Sequence, residues 1–401
     1  MNRMTTTKLT TNLGRLLAVA ALLSLSFATG CKNFFTPITS GTGSSGGTTN
    51  SGDYAYVVSS NTSSSTPIYT VSGFTVGAGT LTALSGFPLT LPFAPSTAVV
   101  TPGNTFLYVA GAGVLYGYSI SSAGALTSII SSTNSAALVN ANIVSLDVSP
   151  DGQWLMGLDG NLTIPTIDFF QIGSTGQLTV EAPAQYALTN NSAPIIPNSI
   201  RVAPTGNYVA ISLETGGDVL FGFNTTTGAF TALTQVYTGS ASGGDQALAF
   251  DSTGSTLYIA RSGTGGGVYP YIIGSSGLNS NPVAGAPFAL GKGASSMVID
   301  KTGKYLYVSN RTDNTISAFS IGTGSVLTAL SGSPFTAGTS VDSLARDNSG
   351  NYILTTAIDG SDDLQIYSFD ATVAGKLDLA ASAATGDPTE PAGAIEVALT
   401  H

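Results

Sequence analysis

Residues 297–310 have the sequence MVIDKTGKYLYVSN, in which a polar turn containing Gly303 separates two apolar segments rich in β-branched and aromatic residues. This composition around a short glycine turn is typical of two antiparallel strands joined by a tight hairpin. The pattern occurs five more times, as AVVTPGNTFLYVAG (98–111), SLDVSPDGQWLMGL (145–158), SIRVAPTGNYVAIS (199–212), LAFDSTGSTLYIAR (248–261) and LARDNSGNYILTTA (344–357). A repeat of this kind predicts an array of similar structural units.

The turn glycines set the length of the repeat. They are Gly103, Gly152, Gly206, Gly254, Gly303 and Gly350, separated by 49, 54, 48, 49 and 47 residues. We expect each of them to adopt a positive φ, which a tight hairpin demands of one residue. A further pair of alternating segments follows each hairpin, for example TISAFSIGTGSVLTAL from residue 315. Each unit therefore predicts four short antiparallel strands, the composition of a β-propeller blade.

A seventh blade is predicted from the two ends of the repeated region. Tyr54 to Val58 has the sequence of a second strand that lacks its hairpin partner, and Ala394 to Leu399 has that of the missing innermost strand. Pairing them would close the ring and remove the exposed sheet edges. The sequence thus predicts an all-β, seven-bladed propeller over residues 54–401. A parallel β-helix would need shorter repeats and would leave the matching half-units unexplained.

The first 53 residues differ from the rest. Arg3, Lys8 and Arg15 precede an apolar run of about twelve residues, which is too short for a bilayer that needs roughly 20. Residues 28–31, Ala-Thr-Gly-Cys, then resemble the lipobox of a bacterial lipoprotein, so residues 1–31 are predicted to be a signal peptide with Cys31 as the lipidated residue. Residues 32–53 are rich in Gly, Ser and Thr and predict a flexible tether.

Composition limits the partners. Three of the twelve basic residues lie in the leader, which leaves nine against 22 acidic residues and a net charge near −13. Nucleic acid is therefore not expected as a partner, because phosphate binding needs clustered Lys and Arg. We expect a monomer attached to a membrane by its lipid, in the periplasm or at the outer membrane or cell surface. A small molecule or a protein could bind at the propeller mouth.

The segment from Tyr307 to Arg311, YVSNR, resembles a motif of the seven-bladed lactonase family, whose members include bacterial 6-phosphogluconolactonases and fungal carboxy-muconate cyclases. The resemblance covers essentially Tyr54 to Leu399. It implies a catalytic set of an Arg-His pair, a Glu and the Arg of YVSNR. Here Asn198 and Ser199 stand at the positions of the Arg-His pair, whereas the other two positions are occupied by Glu214 and Arg311.

Spacing from the turns places these residues at one mouth of the central channel. Glu214 and Arg311 each follow their turn glycine by eight residues, and Asn198 precedes Gly206 by eight. Because the two strands of a hairpin run in opposite directions, these positions meet at the same edge of the blade. The same count, within about one residue, gives the other predicted mouth residues: Asp245, Gln246, Arg261, Ser262, Ser295, Ser296, Asp342, Ser343 and Asp359.

Two functions follow from this site. Loss of the Arg-His pair favours a binding or scaffold module with a degenerate catalytic mouth, since general acid-base catalysis most often uses His and the chain's single histidine is His401. The alternative is an active lactonase that uses Glu214 and Arg311. No cofactor is expected, and no metal, because the sequence contains neither a Cys/His cluster nor a phosphate-binding glycine loop.

Overall fold

The computed structural model describes residues 53–62, 65–111, 113–130, 142–188, 194–236, 243–263, 265–387, 390–391 and 393–401. The chain divides into two units, residues 1–48 and 49–401, and the described residues all belong to the second. The predicted signal peptide, Cys31 and nearly all of the tether lie outside them. No helix in the described part of the chain is long and apolar enough to cross a membrane.

Seven sheets of four or five strands form the blades, which we number in chain order. Blade 1 contains β33 (Ala394–Leu399), β1 (Tyr54–Asn61), β2 (Ile68–Gly77) and β3 (Thr80–Ala83), with β4 (Leu89–Thr90) paired to β2. Blade 2 contains β5 (Thr97–Val100), β6 (Phe106–Gly111), β7 (Val114–Ile120) and β8 (Leu126–Ile130). Blade 3 contains β9 (Ile143–Val148), β10 (Trp154–Asp159), β11 (Thr166–Ile172) and β12 (Leu178–Val180), with β13 (Ala184–Gln185) paired to β11. Blade 4 contains β14 (Ser199–Val202), β15 (Tyr208–Ser212), β16 (Asp218–Asn224) and β17 (Ala229–Val236).

The other three blades have the same antiparallel order. Blade 5 contains β18 (Asp245–Phe250), β19 (Thr256–Arg261), β20 (Gly267–Gly274) and β21 (Gly277–Leu278). Blade 6 contains β22 (Ala294–Ile299), β23 (Tyr305–Asn310), β24 (Thr315–Ile321) and β25 (Leu327–Ala329), with β26 (Phe335–Thr336) paired to β24 and a 3₁₀ turn at Thr323–Ser325. Blade 7 contains β27 (Val341–Arg346), β28 (Tyr352–Ala357), β29 (Leu364–Phe369) and β30 (Leu377–Ala383). A small ladder joins β31 (Gly386–Asp387) to β32 (Glu390–Pro391).

The ring closes as the sequence predicts. The innermost strands contact one another in the circular order β5, β9, β14, β18, β22, β27, β33 and β5 again. Strand β33 pairs antiparallel with β1, with Tyr56 opposite Ala398 and Val57 opposite Val397. Just beyond the ladder, the Tyr54 amide donates to Thr400 Oγ1 at 2.8 Å. The prediction of a seven-bladed propeller closed by both ends of the repeat region is therefore confirmed.

The hairpin turns confirm the predicted glycine conformation with one exception. The last five turn glycines have φ between 67° and 75°, the left-handed region that suits glycine. In the first hairpin the positive φ, 55°, belongs to Asn104 and not to Gly103, so that prediction was wrong by one residue. Asparagine tolerates this conformation better than most residues, because its short polar side chain can bond locally. In this hairpin the Asn104 side chain bonds to a residue distant in the sequence, because its Oδ1 accepts the His401 amide at 2.7 Å.

Neighbouring blades are joined by a recurring tyrosine contact. The hydroxyls of Tyr56, Tyr108 and Tyr307 each donate to a glycine carbonyl 68 residues later, at 2.8, 2.9 and 2.7 Å. All three side chains are fully buried. The hydroxyl bond permits this burial, because an unpaired polar group in the interior would cost about 1–3 kcal/mol. Each tyrosine therefore contacts a glycine that lies more than one repeat later in the sequence, in the neighbouring blade.

The channel-facing edges of the inner strands are capped by the adjacent blade. Thr97 Oγ1 accepts the Leu146 amide at 3.1 Å, and Ser296 Oγ accepts the Leu344 amide at 3.1 Å. An inner strand has no further strand to pair with, so its free amides need such acceptors. The polar residues of the inner strands therefore hold the ring together in addition to lining the channel.

Candidate functional site

A cavity of about 540 Å³ opens at the end of the channel where the inner strands begin. Its volume lies within the usual range for small-ligand sites. Most of the side chains around it are polar and short. They include Ser96, Ser145, Asn198, Ser199, Gln246, Ser262, Ser295, Ser296, Arg311, Asp342 and Ser343, with Arg201 and Glu396 deeper in the channel.

Glu214 is not among the residues that line this cavity, but its carboxylate is hydrogen-bonded to two amide side chains that do line it. Its Oε1 accepts hydrogen bonds from Gln246 Nε2 at 2.9 Å and from Asn198 Nδ2 at 3.3 Å. Glu214 has a φ of 50°, an uncommon conformation for a residue with a side chain. It lies in the turn after β15, where its backbone forms an isolated antiparallel bridge with that of Asp245. The turn thereby directs the carboxylate toward the two amides that line the cavity.

Arg311 and Asp342 form an ion pair between blades 6 and 7. The Arg311 side chain is 45% exposed and that of Asp342 only 15%, so the guanidinium faces the opening and the carboxylate lies below it. Burial raises the pKa of Asp342, and the charge and hydrogen bond of Arg311 oppose that rise. Asp342 thus holds the Arg311 guanidinium at the mouth, and the positive charge of Arg311 stabilises the ionised form of Asp342.

Two predicted mouth residues lie beneath the cavity wall instead. Asp245 is fully buried, and its Oδ1 accepts from Arg261 Nε at 2.7 Å. The two residues are opposite each other in the β18–β19 ladder, so Arg261 folds back onto its own blade. Its guanidinium also lies 4.2 Å from the centre of the Tyr269 ring. Asp245 and Arg261, which were predicted to line the mouth, form a buried pair and are not among the residues that line the cavity.

A second carboxyl group joins this pair. Asp218 is fully buried on β16, and its pKa is raised well above the usual range, first by burial and then by the adjacent Asp245 charge. Arg261 acts in the opposite direction. Arg261 pairs directly with Asp245, and the Asp218 carboxyl group retains its proton far more readily than an exposed aspartate would. Asp359, the remaining predicted position, is exposed and accepts from Ser340 Oγ at 2.7 Å without lining the cavity.

The charged groups in the middle of the channel were not predicted from the sequence. Arg201 and Glu396 line both the mouth cavity and a second cavity at the other end. Glu396 Oε2 accepts the Ala98 amide at 3.0 Å, and burial raises its pKa while Arg201 opposes that rise. The sequence contained one clue to Arg201. It follows Ser199 by two residues, and alternate residues of a strand point to the same side, so Arg201 shares the channel-facing side of β14 with Ser199.

Within the described part of the chain, no three His, Cys, Asp or Glu side chains converge in a way that could hold a metal ion. The chemistry at the mouth is instead that of hydrogen bonding. Hydroxyl and amide groups can both donate and accept, and Arg311 adds a fixed fork of donors. The arrangement suits a ligand that carries several hydroxyl groups or a negative charge.

Fold and site together define a seven-bladed β-propeller with a polar, small-ligand cavity at one mouth of its channel. The family model described as lactonase, 7-bladed beta-propeller matches residues 54–390. The chain therefore belongs to this family. No curated protein matches the sequence significantly.

Solved structures share the fold at low identity. A candidate 6-phosphogluconolactonase from Bacteroides fragilis is 18% identical, with a TM-score of 0.68 over 89% of this chain and 100% of that one. The Pseudomonas aeruginosa periplasmic gluconolactonase is 19% identical, with a TM-score of 0.62 over 87% of this chain and 99% of that one. A Lactobacillus plantarum protein is 16% identical, with a TM-score of 0.69 over 87% and 99%. At these identities the likeness establishes the fold alone.

Proposed function

We propose that this protein is a lipid-anchored, extracytoplasmic binding module whose mouth cavity takes a small, hydroxyl-rich ligand. The observation that carries the proposal is the state of Glu214, whose carboxylate oxygen is hydrogen-bonded to the amides of Asn198 and Gln246. These amides cannot accept a proton relayed from the carboxyl group at neutral pH. The network therefore fits a fixed recognition surface better than a site of proton transfer.

The residues at the positions where the lactonase family is expected to have its Arg-His pair support the same proposal. Asn198 and Ser199 both line the cavity, and neither side chain titrates near neutral pH. His401, the only histidine in the sequence, lines the cavity at the other end of the channel. The mouth thus holds many neutral hydrogen-bonding groups with the Arg311–Asp342 ion pair, and Arg201 and Glu396 lie deeper in the channel, a composition that suits sugars and sugar acids.

The location is part of the proposal. The leader and Cys31 have the pattern of a lipoprotein, and the tether has about 20 residues, enough to hold the propeller clear of a membrane surface. The similar propeller from Pseudomonas aeruginosa is described as periplasmic, which agrees with an extracytoplasmic site of action. We expect the lipid to be the membrane contact and the propeller to be monomeric.

Calorimetric titration of the Cys31→Ser chain with gluconate, glucose and a neutral apolar alcohol of similar size tests the binding function. We expect gluconate or glucose to bind and the alcohol not to bind. Replacing a hydrogen-bonding residue of the cavity, as in Asn198→Ala, should weaken binding about tenfold, because buried polar contacts contribute about 1–3 kcal/mol. Asp359→Asn, an exposed change near the same mouth, is the matched control. Equal affinities in both variants would contradict this site.

An active lactonase is the second candidate, favoured by the family match over residues 54–390. In that case Arg311 would stabilise the developing oxyanion and Glu214 would move a proton. A panel of sugar and muconate-type lactones would be hydrolysed, and Glu214→Gln and Arg311→Gln would each lose on the order of 100-fold or more in rate. If no lactone is turned over, the Asn198→Arg, Ser199→His double variant tests whether the remaining geometry can still support catalysis.

A further inference from the structure

The opposite end of the channel contains a second cavity, of about 470 Å³. Its wall differs from that of the first, because the inner strands end here in apolar residues. The partly exposed ones in the wall are Val99, Val202, Val298 and Ala345. Arg201, Lys301, Arg346 and His401 also line the cavity, together with three acidic residues, Asp147, Asp300 and Glu396. The cavity is therefore apolar in its body and charged at defined points.

The acidic residues of this cavity accept hydrogen bonds from backbone amides. Asp300 accepts hydrogen bonds from three amides of its own hairpin turn at 2.7–3.0 Å. Asp147 accepts from two amides at 2.7 and 2.8 Å, and Glu396 accepts from one at 3.0 Å. Hydrogen bonds from amides stabilise a carboxylate and use its lone pairs. These three groups therefore serve the strand edges and turns around them.

The guanidinium groups of Arg201 and Arg346 make fewer hydrogen bonds than these carboxylates. Arg346 Nη1 donates to the Ile299 carbonyl at 3.3 Å, and Arg201 Nη1 donates to the Ile200 carbonyl at 2.7 Å. Over the described ranges, neither group has a carboxylate oxygen within 4.0 Å. A guanidinium carries five N–H donors and stays charged in proteins. Arg346 is therefore a cation, exposed at this end of the channel, whose donors are mostly free to meet a ligand.

We propose that this second cavity binds a small organic anion with an apolar body, of the class of an aliphatic monocarboxylate. The carboxylate would bond to the Arg346 fork, a geometry that guanidinium and carboxylate share. The chain would lie against the apolar ends of the inner strands, whose side chains gain from losing contact with water. This site lies at the other end of the channel from the cavity of the proposed function and does not depend on it.

Calorimetric titration of the Cys31→Ser chain with octanoate tests the site, with octanamide as the uncharged compound of the same shape. We expect octanoate to bind, and octanamide to bind at least tenfold more weakly. Arg346→Gln should weaken octanoate binding about tenfold or more, because hydrogen bonds to a charged group contribute about 1.5–3 kcal/mol. Lys304→Gln makes the same change of charge on an exposed residue of the neighbouring hairpin and should leave octanoate binding unchanged.

Three results of these titrations would overturn the proposal. Absence of octanoate binding at millimolar concentration would overturn the proposal, as would equal binding of octanoate and octanamide. Unchanged octanoate affinity in a folded Arg346→Gln variant would do the same. If that variant does not fold, the comparison of the two ligands on the parent chain still decides, because it needs no substitution at Arg346.

Discussion

Deleting residues 394–401 should open the ring. Strand β33 is the innermost strand of blade 1, and its Val397 and Leu399 side chains are only 4% and 7% exposed. Full burial of such a side chain contributes about 1.5–3 kcal/mol, so the two together supply about 3–6 kcal/mol. Loss of the ladder to β1 adds about 0.5–1.5 kcal/mol for each hydrogen bond. Against a net stability of about 5–15 kcal/mol, the truncated chain should be largely unfolded.

Urea denaturation followed by circular dichroism measures this loss, and a peptide with the sequence AIEVALTH should restore part of it by reoccupying the position of β33. A milder pair of substitutions gives a matched control. Val397→Ala removes buried methyl groups and should cost about 1.5–3 kcal/mol, whereas Val180→Ala, at a residue 53% exposed on an outermost strand, should change stability by less than about 0.5 kcal/mol. A truncated chain as stable as the intact one would refute closure by β33.

Three further outcomes are expected. Arg261→Met leaves the Asp245 carboxylate buried without its cation, so urea denaturation should show a loss of about 3–5 kcal/mol, and a loss below about 1 kcal/mol would contradict the pairing. Folded Asp218 keeps its proton above the pH at which the unfolded group releases it, so the free energy of unfolding should fall as pH rises from about 4 toward the raised pKa. Asp218→Asn should flatten that profile, and an unchanged slope would argue against this group. Labelling cells with a radioactive fatty acid should mark the parent chain and not Cys31→Ser; equal labelling would exclude that anchor.

The candidate site was only partly predictable. Counting from the turn glycines brought Asn198, Arg311 and Asp342 to one mouth, because hairpin strands of equal length end at the same edge. The same count also selected Asp245 and Arg261, which the structure buries. Spacing gives the height of a residue along a blade but not the direction of its side chain. The Arg261 side chain is long enough to pair with the buried carboxylate of Asp245, which lies opposite it in the ladder between β18 and β19.

The sequence by itself determined the number of blades, their four-stranded composition and the closure of the ring. These follow from short-range patterns, namely strand alternation and hairpin turns repeated about every 50 residues. The tertiary structure alone decided which polar groups meet: Glu214 with the amides of Asn198 and Gln246, Arg311 with Asp342, and the exposed donors of Arg346 at the far mouth. Such partners come from separate strands or blades, so their contacts exist only once the ring has formed.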